Sequence, residues 1–197
     1  MPTTTKPTPL AVTGDPAADA LLRTNPLALL IGMLLDQQVP MEWAFVGPLR
    51  LTERLDGDLD AAAIAAMDIE ELIDVFRIKP ALHRYPKSMA QRVQQLCQHI
   101  VDNYDGDAAK VWKGVRSGDT LHERLVGLPG YGQEKASIFT ALLAKRFGVR
   151  PHGWETHAGP FADTKMRSVA DIDGPEALEQ VRHHKKMLKA KGKGKAG

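Results

Sequence analysis

A short glycine-rich turn lies between two apolar stretches and consists of Leu128, Pro129, Gly130, Tyr131 and Gly132. Glycine at two of its positions lets the backbone adopt a positive φ or approach a ligand closely. The helix predicted to follow, over residues 134–147, would present unpaired N–H groups and the positive end of its dipole. We therefore predict that this two-glycine corner, residues 128–132, binds a phosphate through backbone amides.

Other chemical motifs are not evident. Of the seven histidines, only His152/His157 and His183/His184 are close pairs, and neither has the i, i+4 spacing with which a helix presents two zinc ligands. We predict that the histidines lie on the surface and that the chain has no metal site. No P-loop, GxSxG or paired-carboxylate motif supports nucleotide hydrolysis or acyl transfer.

Helix start signals recur along the chain. Asp15 and Asn25 each precede a proline, which is the order of a capping side chain and a first helical residue. The run over residues 27–35 is apolar on nearly all sides and predicts a buried central helix. Further helices are predicted in an alanine-rich segment ending near Met67, over residues 72–76, from Pro86, on both sides of the two-glycine corner and from Pro175.

No segment alternates convincingly between apolar and polar residues, so strands are not predicted. We predict an all-α fold with two helical lobes around a cleft. A helical domain would extend over residues 15–181, with the helical hairpin at 121–147. A flexible N-terminus would precede it over residues 1–14.

The net charge of +2 hides an uneven distribution. Residues 182–197 contain seven Lys or Arg and no acid, so the rest of the chain is acidic. Lys alternates with Gly and Ala after Lys189, which predicts a disordered basic tail over residues 182–197 that tethers a polyanion. A solubilising terminus, or a helix end whose cations complement the dipole, is the alternative interpretation.

Cysteine content and hydropathy indicate a cytoplasmic protein. Cys97 is the only cysteine, which excludes a disulfide framework and any four-cysteine iron–sulfur cluster within the chain. Residues 1–9 lack the charged-then-apolar order of a signal peptide, and no apolar run is long enough to span a membrane.

These motifs together resemble the helix-hairpin-helix (HhH-GPD) superfamily of DNA glycosylases, which includes endonuclease III and the alkylbase glycosylases. The resemblance covers about residues 25–160 and rests on Asn25-Pro26-Leu27, the run from Leu34 to Val39 with its Gln37-Gln38 pair, the two-glycine corner and Ala136. It implies base-excision repair: the protein would bind double-stranded DNA, rotate a damaged base into the cleft and hydrolyse its N-glycosidic bond. Similar hairpins also occur in non-catalytic DNA-binding proteins.

The resemblance implies roles for individual residues. Amides at Gly130 and Gly132, with Leu128 beside them, would hold a phosphate, and a monovalent cation often binds hairpin carbonyls in this superfamily. Lys135 would add a charge-assisted contact to the phosphate, and Tyr131 a contact to the strand. Gln38 would fill the gap left by the extruded base, unless it is simply an exposed amide ending a helix. Gln37 is a weaker candidate, and Trp43 is more typical of a core residue.

The chain departs from the superfamily at the catalytic position. An aspartate, often in Asp-Thr-His, is expected about twenty residues after the hairpin; Trp154-Glu155-Thr156-His157 stands here, with Glu155 as the candidate catalytic carboxylate. Alternatively, Glu155 only marks a helix start, where acids are favoured. Asp163 and Asp171 lie too far along the chain to fit the spacing.

The lysine that forms a Schiff base in strand-cutting relatives is replaced by Glu134, which disfavours a lyase. We therefore expect a monofunctional, monomeric DNA glycosylase without an iron–sulfur cluster, cytoplasmic and nucleoid-associated. The alternatives are a non-catalytic DNA-binding protein that has lost the catalytic aspartate, and a helical protein-interaction module.

Overall fold

The structure is a computed structural model that describes residues 8–192, in which ten α-helices and no strand are found. The helices are α1 (Pro16–Thr24), α2 (Pro26–Leu35), α3 (Met41–Arg54), α4 (Ala61–Ala66), α5 (Ile69–Arg77), α6 (Pro86–Tyr104), α7 (Gly118–Val126), α8 (Gln133–Arg146), α9 (Trp154–Ala158) and α10 (Pro175–Ala190). The predicted all-α fold is confirmed.

Side-chain caps start the first helices as the sequence predicts. The Asp15 carboxylate accepts hydrogen bonds from the amides of Ala17 and Ala18, and the Asn25 side chain accepts one from Ala28. Every residue of the apolar run 27–35 is buried, so α2 is the central helix of the core. This position explains why the run is apolar on all sides.

Two groups of helices flank α2 and share one hydrophobic core. In the first group, α4 and α5 pack on α6; in the second, α7, α8 and α9 pack on one another. Helices α1 and α3 pack on α2 itself. These groups correspond to the two predicted lobes, and the turn between α7 and α8 lies against α2.

The two ends of the domain differ from the prediction. Leu10 and Val12 are fully buried, and the Asp19 carboxylate accepts hydrogen bonds from the amides of Val12 (3.1 Å) and Thr13 (3.0 Å). The predicted flexible N-terminus is therefore wrong for residues 10–14, while residues 1–7 lie outside the described range.

At the other end, α10 continues to Ala190, and Leu188 is buried against the domain. The tail boundary predicted at residue 182 therefore falls inside a helix. Residues 193–197 of the predicted tail lie outside the described range.

Within residues 8–192, no single helix has the length and apolar composition needed to cross a membrane; α1 and α2 meet that test only as a pair bent by 115°.

Candidate nucleic-acid interface

The two-glycine corner is a turn closed by its own backbone. The Leu128 amide donates to the Leu125 carbonyl (3.1 Å), and the Tyr131 amide donates to the Leu128 carbonyl (3.0 Å). Helix α8 then begins at Gln133 with Gly132 as its N-cap, and no side chain caps it. The first amide of this end to find a main-chain partner is that of Ala136, which donates to Gly132 (2.9 Å).

The amides of Gly132, Gln133 and Glu134 are available to a ligand. No acceptor for the amides of Gly132, Gln133 or Glu134 is found within residues 8–192, and all three residues are exposed. A helix of 14 residues thus presents donors and the positive end of its dipole to solvent. This is the arrangement that binds a phosphate oxygen.

The two glycines serve different purposes. Gly130 has φ +83°, and a Cβ built there would lie 2.3 Å from Cδ1 of Leu34, so this glycine allows the turn to approach α2. Gly132 has φ −91°, and a Cβ there would meet nothing within 4 Å. Gly132 therefore leaves open space in front of the free amides.

Two residues predicted to contact DNA belong instead to the core. Leu128 is 2% exposed and Tyr131 5%. The Tyr131 hydroxyl donates to the Leu30 carbonyl of α2 (2.8 Å), and its ring meets the Phe139 ring edge-on at 5.8 Å. Burial raises the pKa of Tyr131 well above its ordinary value. The predicted strand contact by the Tyr131 side chain is therefore wrong, and the Leu128 side chain is buried.

Lys135, for which a phosphate contact is predicted, has other partners in this structure. Its ammonium donates to the carbonyls of Met33 (2.5 Å), Leu34 (3.2 Å) and Asp36 (3.4 Å) at the end of α2. The backbone satisfies these last carbonyls only in part, since Met33 also accepts the Asp36 amide (3.3 Å), and the negative end of the helix dipole favours a cation there. Lys135 therefore fastens the first turn of α8 to the last turn of α2.

The Gln38 loop, residues 36–40, begins at Asp36, whose carbonyl is one of the three that accept hydrogen bonds from Lys135. Gln38 adopts a left-handed backbone conformation with φ 56°, is exposed and makes no side-chain hydrogen bond within the described residues. Gln37 instead donates from its side chain to the Leu34 carbonyl (2.7 Å) and accepts from Arg92 (2.6 Å). Of the glutamine pair, only Gln38 projects freely.

His83 supports the Gln38 loop from behind. Its Nε2 lies 3.1 Å from the Leu35 carbonyl and 3.0 Å from that of Gln37, and its Nδ1 accepts a hydrogen bond from the Tyr85 amide (3.0 Å). A neutral ring with the proton on Nε2 satisfies all three contacts. His83 is fully buried, and this burial lowers its pKa. The predicted surface position is therefore wrong for this histidine.

Residues beside this loop were missed by the sequence analysis. Arg84 and Tyr85 are exposed, and the Arg84 guanidinium lies 5.6 Å from the centre of the Tyr85 ring. An exposed aromatic ring with a cation over it can stack on a base and attract the backbone. The local sequence predicts only that α6 starts at Pro86. It does not predict that Arg84 and Tyr85 lie near the Gln38 loop, because that link is made by His83 across more than 40 positions of the chain.

Glu155 is exposed on the short helix α9, and its carboxylate makes no hydrogen bond within residues 8–192. Helix α9 is held against the hairpin by His157, whose Nε2 lies 2.9 Å from an Asp119 carboxylate oxygen and whose ring stacks on His122 at 4.8 Å. His122 in turn lies 2.7 Å from the Gln133 side-chain oxygen. These contacts thus connect α9, the helix that carries Glu155, to the N-terminal end of α8.

The two later aspartates have structural partners. Asp171 is buried, pairs with Lys145 (2.6 Å) and accepts hydrogen bonds from the amides of Arg167 (3.0 Å) and Ser168 (2.9 Å). Asp163 pairs with Arg167 (3.0 Å). Neither carboxylate is available to a substrate in the way that Glu155 is.

Within the described residues, no group of three His, Cys, Asp or Glu side chains has the geometry of a metal site. Cys97 is fully buried in α6, and burial raises the pKa of its thiol to about 12.

Comparison with known proteins gives a distant structural likeness. No protein-family model matches the chain, and no curated protein matches it significantly. The similar solved structures include two of endonuclease III with DNA. A trapped covalent intermediate in the estranged-adenine complex has 22% identity and a TM-score of 0.45, covering 83% of this chain and 72% of that one. A non-covalent complex has 22% identity and a TM-score of 0.47, covering 85% and 74%. At these values the likeness carries no functional argument.

Proposed function

We propose that this protein binds double-stranded DNA through the two-glycine corner and acts as a DNA N-glycosylase in base-excision repair. The observation that carries the proposal is the set of exposed amides at Gly132, Gln133 and Glu134, which have no acceptor within residues 8–192. Because Lys135 is engaged by α2, the phosphate would be held by amides and the helix dipole rather than by a lysine.

Gln38 would enter the duplex where the damaged base has left it. Its exposed side chain lies on a loop fixed by His83, and Lys135 joins the start of that loop to the hairpin through the Asp36 carbonyl. A phosphate held at α8 and a side chain held at the Gln38 loop would together keep the strand bent and the nucleotide extruded. Arg84 and Tyr85 would contact the DNA beside it.

Glu155 would supply the chemistry. As the bond between the base and C1′ breaks, the base leaves with the electron pair and positive charge develops on the sugar. A carboxylate can stabilise this charge and accept a proton from the water that attacks C1′. Glutamate is one methylene longer than the aspartate of the resembled superfamily, and a displacement of roughly 1 Å can cost about 10²-fold in rate.

We propose that the enzyme is monofunctional. Glu134 occupies the Schiff-base position of lyases, and the neighbouring Lys135 amine is held by α2 carbonyls. A single buried cysteine cannot build an iron–sulfur cluster. The proposal includes a monovalent cation at hairpin carbonyls, a monomeric state and a cytoplasmic, nucleoid-associated location.

The test is release of free base from duplexes that each carry one uracil, alkylated purine or oxidised pyrimidine. We expect the wild type to release one class of base, Glu155→Gln to lose at least about 100-fold in rate, and Glu123→Gln, an exposed acid of α7, to match the wild type. Full activity in Glu155→Gln would remove Glu155 from the mechanism. A covalent adduct after borohydride reduction would contradict a monofunctional enzyme.

A non-catalytic DNA-binding protein is the second candidate function. It is favoured by the exposure of Glu155 and because no hydrogen bond from residues 8–192 orients its carboxylate. This candidate predicts salt-dependent duplex binding without release of any base. Duplex affinity that is negligible and insensitive to salt would instead point to a protein-interaction module and contradict both.

A further inference from the structure

An open cavity of about 600 Å³ lies at the far end of the hairpin from the two-glycine corner. It is formed by the segment that precedes α7 and the segment that follows α8. Since α7 has nine residues, it separates the two places by roughly 13 Å at 1.5 Å per residue. The cavity is therefore not part of the proposed phosphate corner.

Basic side chains, and no acidic ones, line this cavity. Lys113, Arg116, Arg150 and His152 line it and are exposed, whereas no Asp or Glu does. Within residues 8–192, the side chains of Lys113, Arg116 and His152 make no hydrogen bond or ion pair, and Arg150 uses only Nε, toward the Ala144 carbonyl (3.1 Å). These donors are available to an anion.

The acids next to these segments in the sequence have partners of their own, and the Asp107 carboxylate accepts a hydrogen bond from the Ala109 amide (2.9 Å). Asp105 pairs with Lys110 (2.7 Å), and Asp119 pairs with His157 (2.9 Å). The cavity therefore carries a local positive charge on a domain whose body is acidic. A positive cavity on a domain of net negative charge attracts phosphate groups more strongly than the surrounding surface does.

The remaining wall is apolar. Trp112 is half-buried and lines the cavity, while its ring also packs on Phe139 with 5.7 Å between ring centres. Val115, Val149 and Pro151 complete this side. An aromatic and aliphatic wall beside unpaired cations suits a ligand with a flat ring system and a phosphate.

The cavity is held open by backbone contacts between its two segments. The Gly118 amide donates to the His152 carbonyl (2.8 Å), and the His152 amide donates to the Arg116 carbonyl (2.9 Å). A Cβ at Gly118 would lie 2.8 Å from the Gly153 carbonyl, so only glycine allows this approach. The shape is therefore largely formed before any ligand arrives.

We propose that this cavity binds a nucleotide, either free or as an unpaired unit of a single strand. The phosphate contacts Lys113, Arg116 and Arg150, and the base lies along Trp112. This site is independent of the proposed glycosylase function and would exist in a non-catalytic protein as well.

The test compares binding of ATP, a four-residue oligothymidylate and inorganic phosphate to the full chain by calorimetry. The variant is Lys113→Glu with Arg116→Glu. The control, Arg23→Glu with Lys79→Glu, changes the net charge equally at two exposed cations whose side chains make no hydrogen bond or ion pair within residues 8–192. We expect ATP or the oligonucleotide to bind the control as it binds the wild type, and the variant at least about tenfold more weakly. Arg116→Gln provides a milder variant if the double variant unfolds.

Binding of ATP alone would assign the site to a free nucleotide, and binding of the oligonucleotide alone to a strand; both support the proposal. Equal affinity for inorganic phosphate would overturn it, because the apolar wall would then contribute nothing. Equal affinities of the variant and the control, or no binding of either nucleotide probe, would also overturn it. Base release from lesion duplexes is measured separately, so either proposal can fail alone.

Discussion

The side-chain ammonium of Lys135 lies 2.5 Å from the main-chain carbonyl oxygen of Met33. This contact joins the beginning of α8 to the end of α2 and so links the exposed amides of α8 to the start of the Gln38 loop. A side chain that looks like a phosphate ligand in the sequence thus sets the distance between the two parts of the proposed interface.

Replacing Lys135 with Met should destabilise the fold by about 2–3 kcal/mol, because carbonyls at the end of α2 lose a charged hydrogen-bond donor. The measurement is urea unfolding, with Lys87→Met, an exposed lysine of α6, as the control. A variant of wild-type stability whose DNA binding has a shallower salt dependence would show instead that Lys135 contacts phosphate.

The two glycines of the corner should respond differently to alanine. Gly130→Ala should cost about 1–3 kcal/mol of unfolding free energy, since φ is +83° and the methyl group meets Leu34. Gly132→Ala should cost under about 1 kcal/mol, because φ is −91° and the space is open. Its methyl group would instead obstruct the free amides and weaken duplex binding. Unchanged duplex affinity in Gly132→Ala would argue against a phosphate at that place.

The two glutamines of the Gln37-Gln38 pair form a matched test. Gln38→Ala should leave stability within about 0.5 kcal/mol, because the side chain is exposed and makes no hydrogen bond within residues 8–192, yet should weaken binding to a duplex with an abasic site. Gln37→Ala should lower stability by about 1–2 kcal/mol through loss of its bonds to Leu34 and Arg92. Fluorescence anisotropy and urea unfolding measure the two effects. The reverse pattern would mean that Gln37 is the residue that enters the duplex.

Acid should weaken the support of the Gln38 loop through His83. Burial lowers the pKa of this histidine in the folded state, whereas in the unfolded chain the pKa is about 6.5. Below that pH the unfolded chain binds a proton that the folded protein resists, so stability should fall as the pH drops from about 7 to about 5 and stay level above 7. His83→Gln should flatten this dependence in urea unfolding, and the exposed His152→Gln should not. An equal slope in all three proteins would assign the loss to other groups.

The sequence determined the helices because their signals are local. Asp15 and Asn25 cap helices that begin at the following prolines, and the apolar run 27–35 is buried, since capping bonds and helical periodicity involve residues only a few positions apart. The two-glycine corner and the exposed position of Gln38 follow from similarly short patterns.

The tertiary structure decided which side chains are free. Lys135 and Tyr131 end on α2 about a hundred positions earlier in the chain, and His83 reaches back to Leu35 and Gln37. Nothing in the local sequence distinguishes a lysine that caps a distant helix from one that meets solvent, because both follow the same helical spacing. The basic side chains of the cavity for which we propose nucleotide binding are likewise brought together only by the packing of two separate segments. A residue type sets the chemistry that a side chain can perform, and long-range packing sets whether that chemistry is already used within the fold.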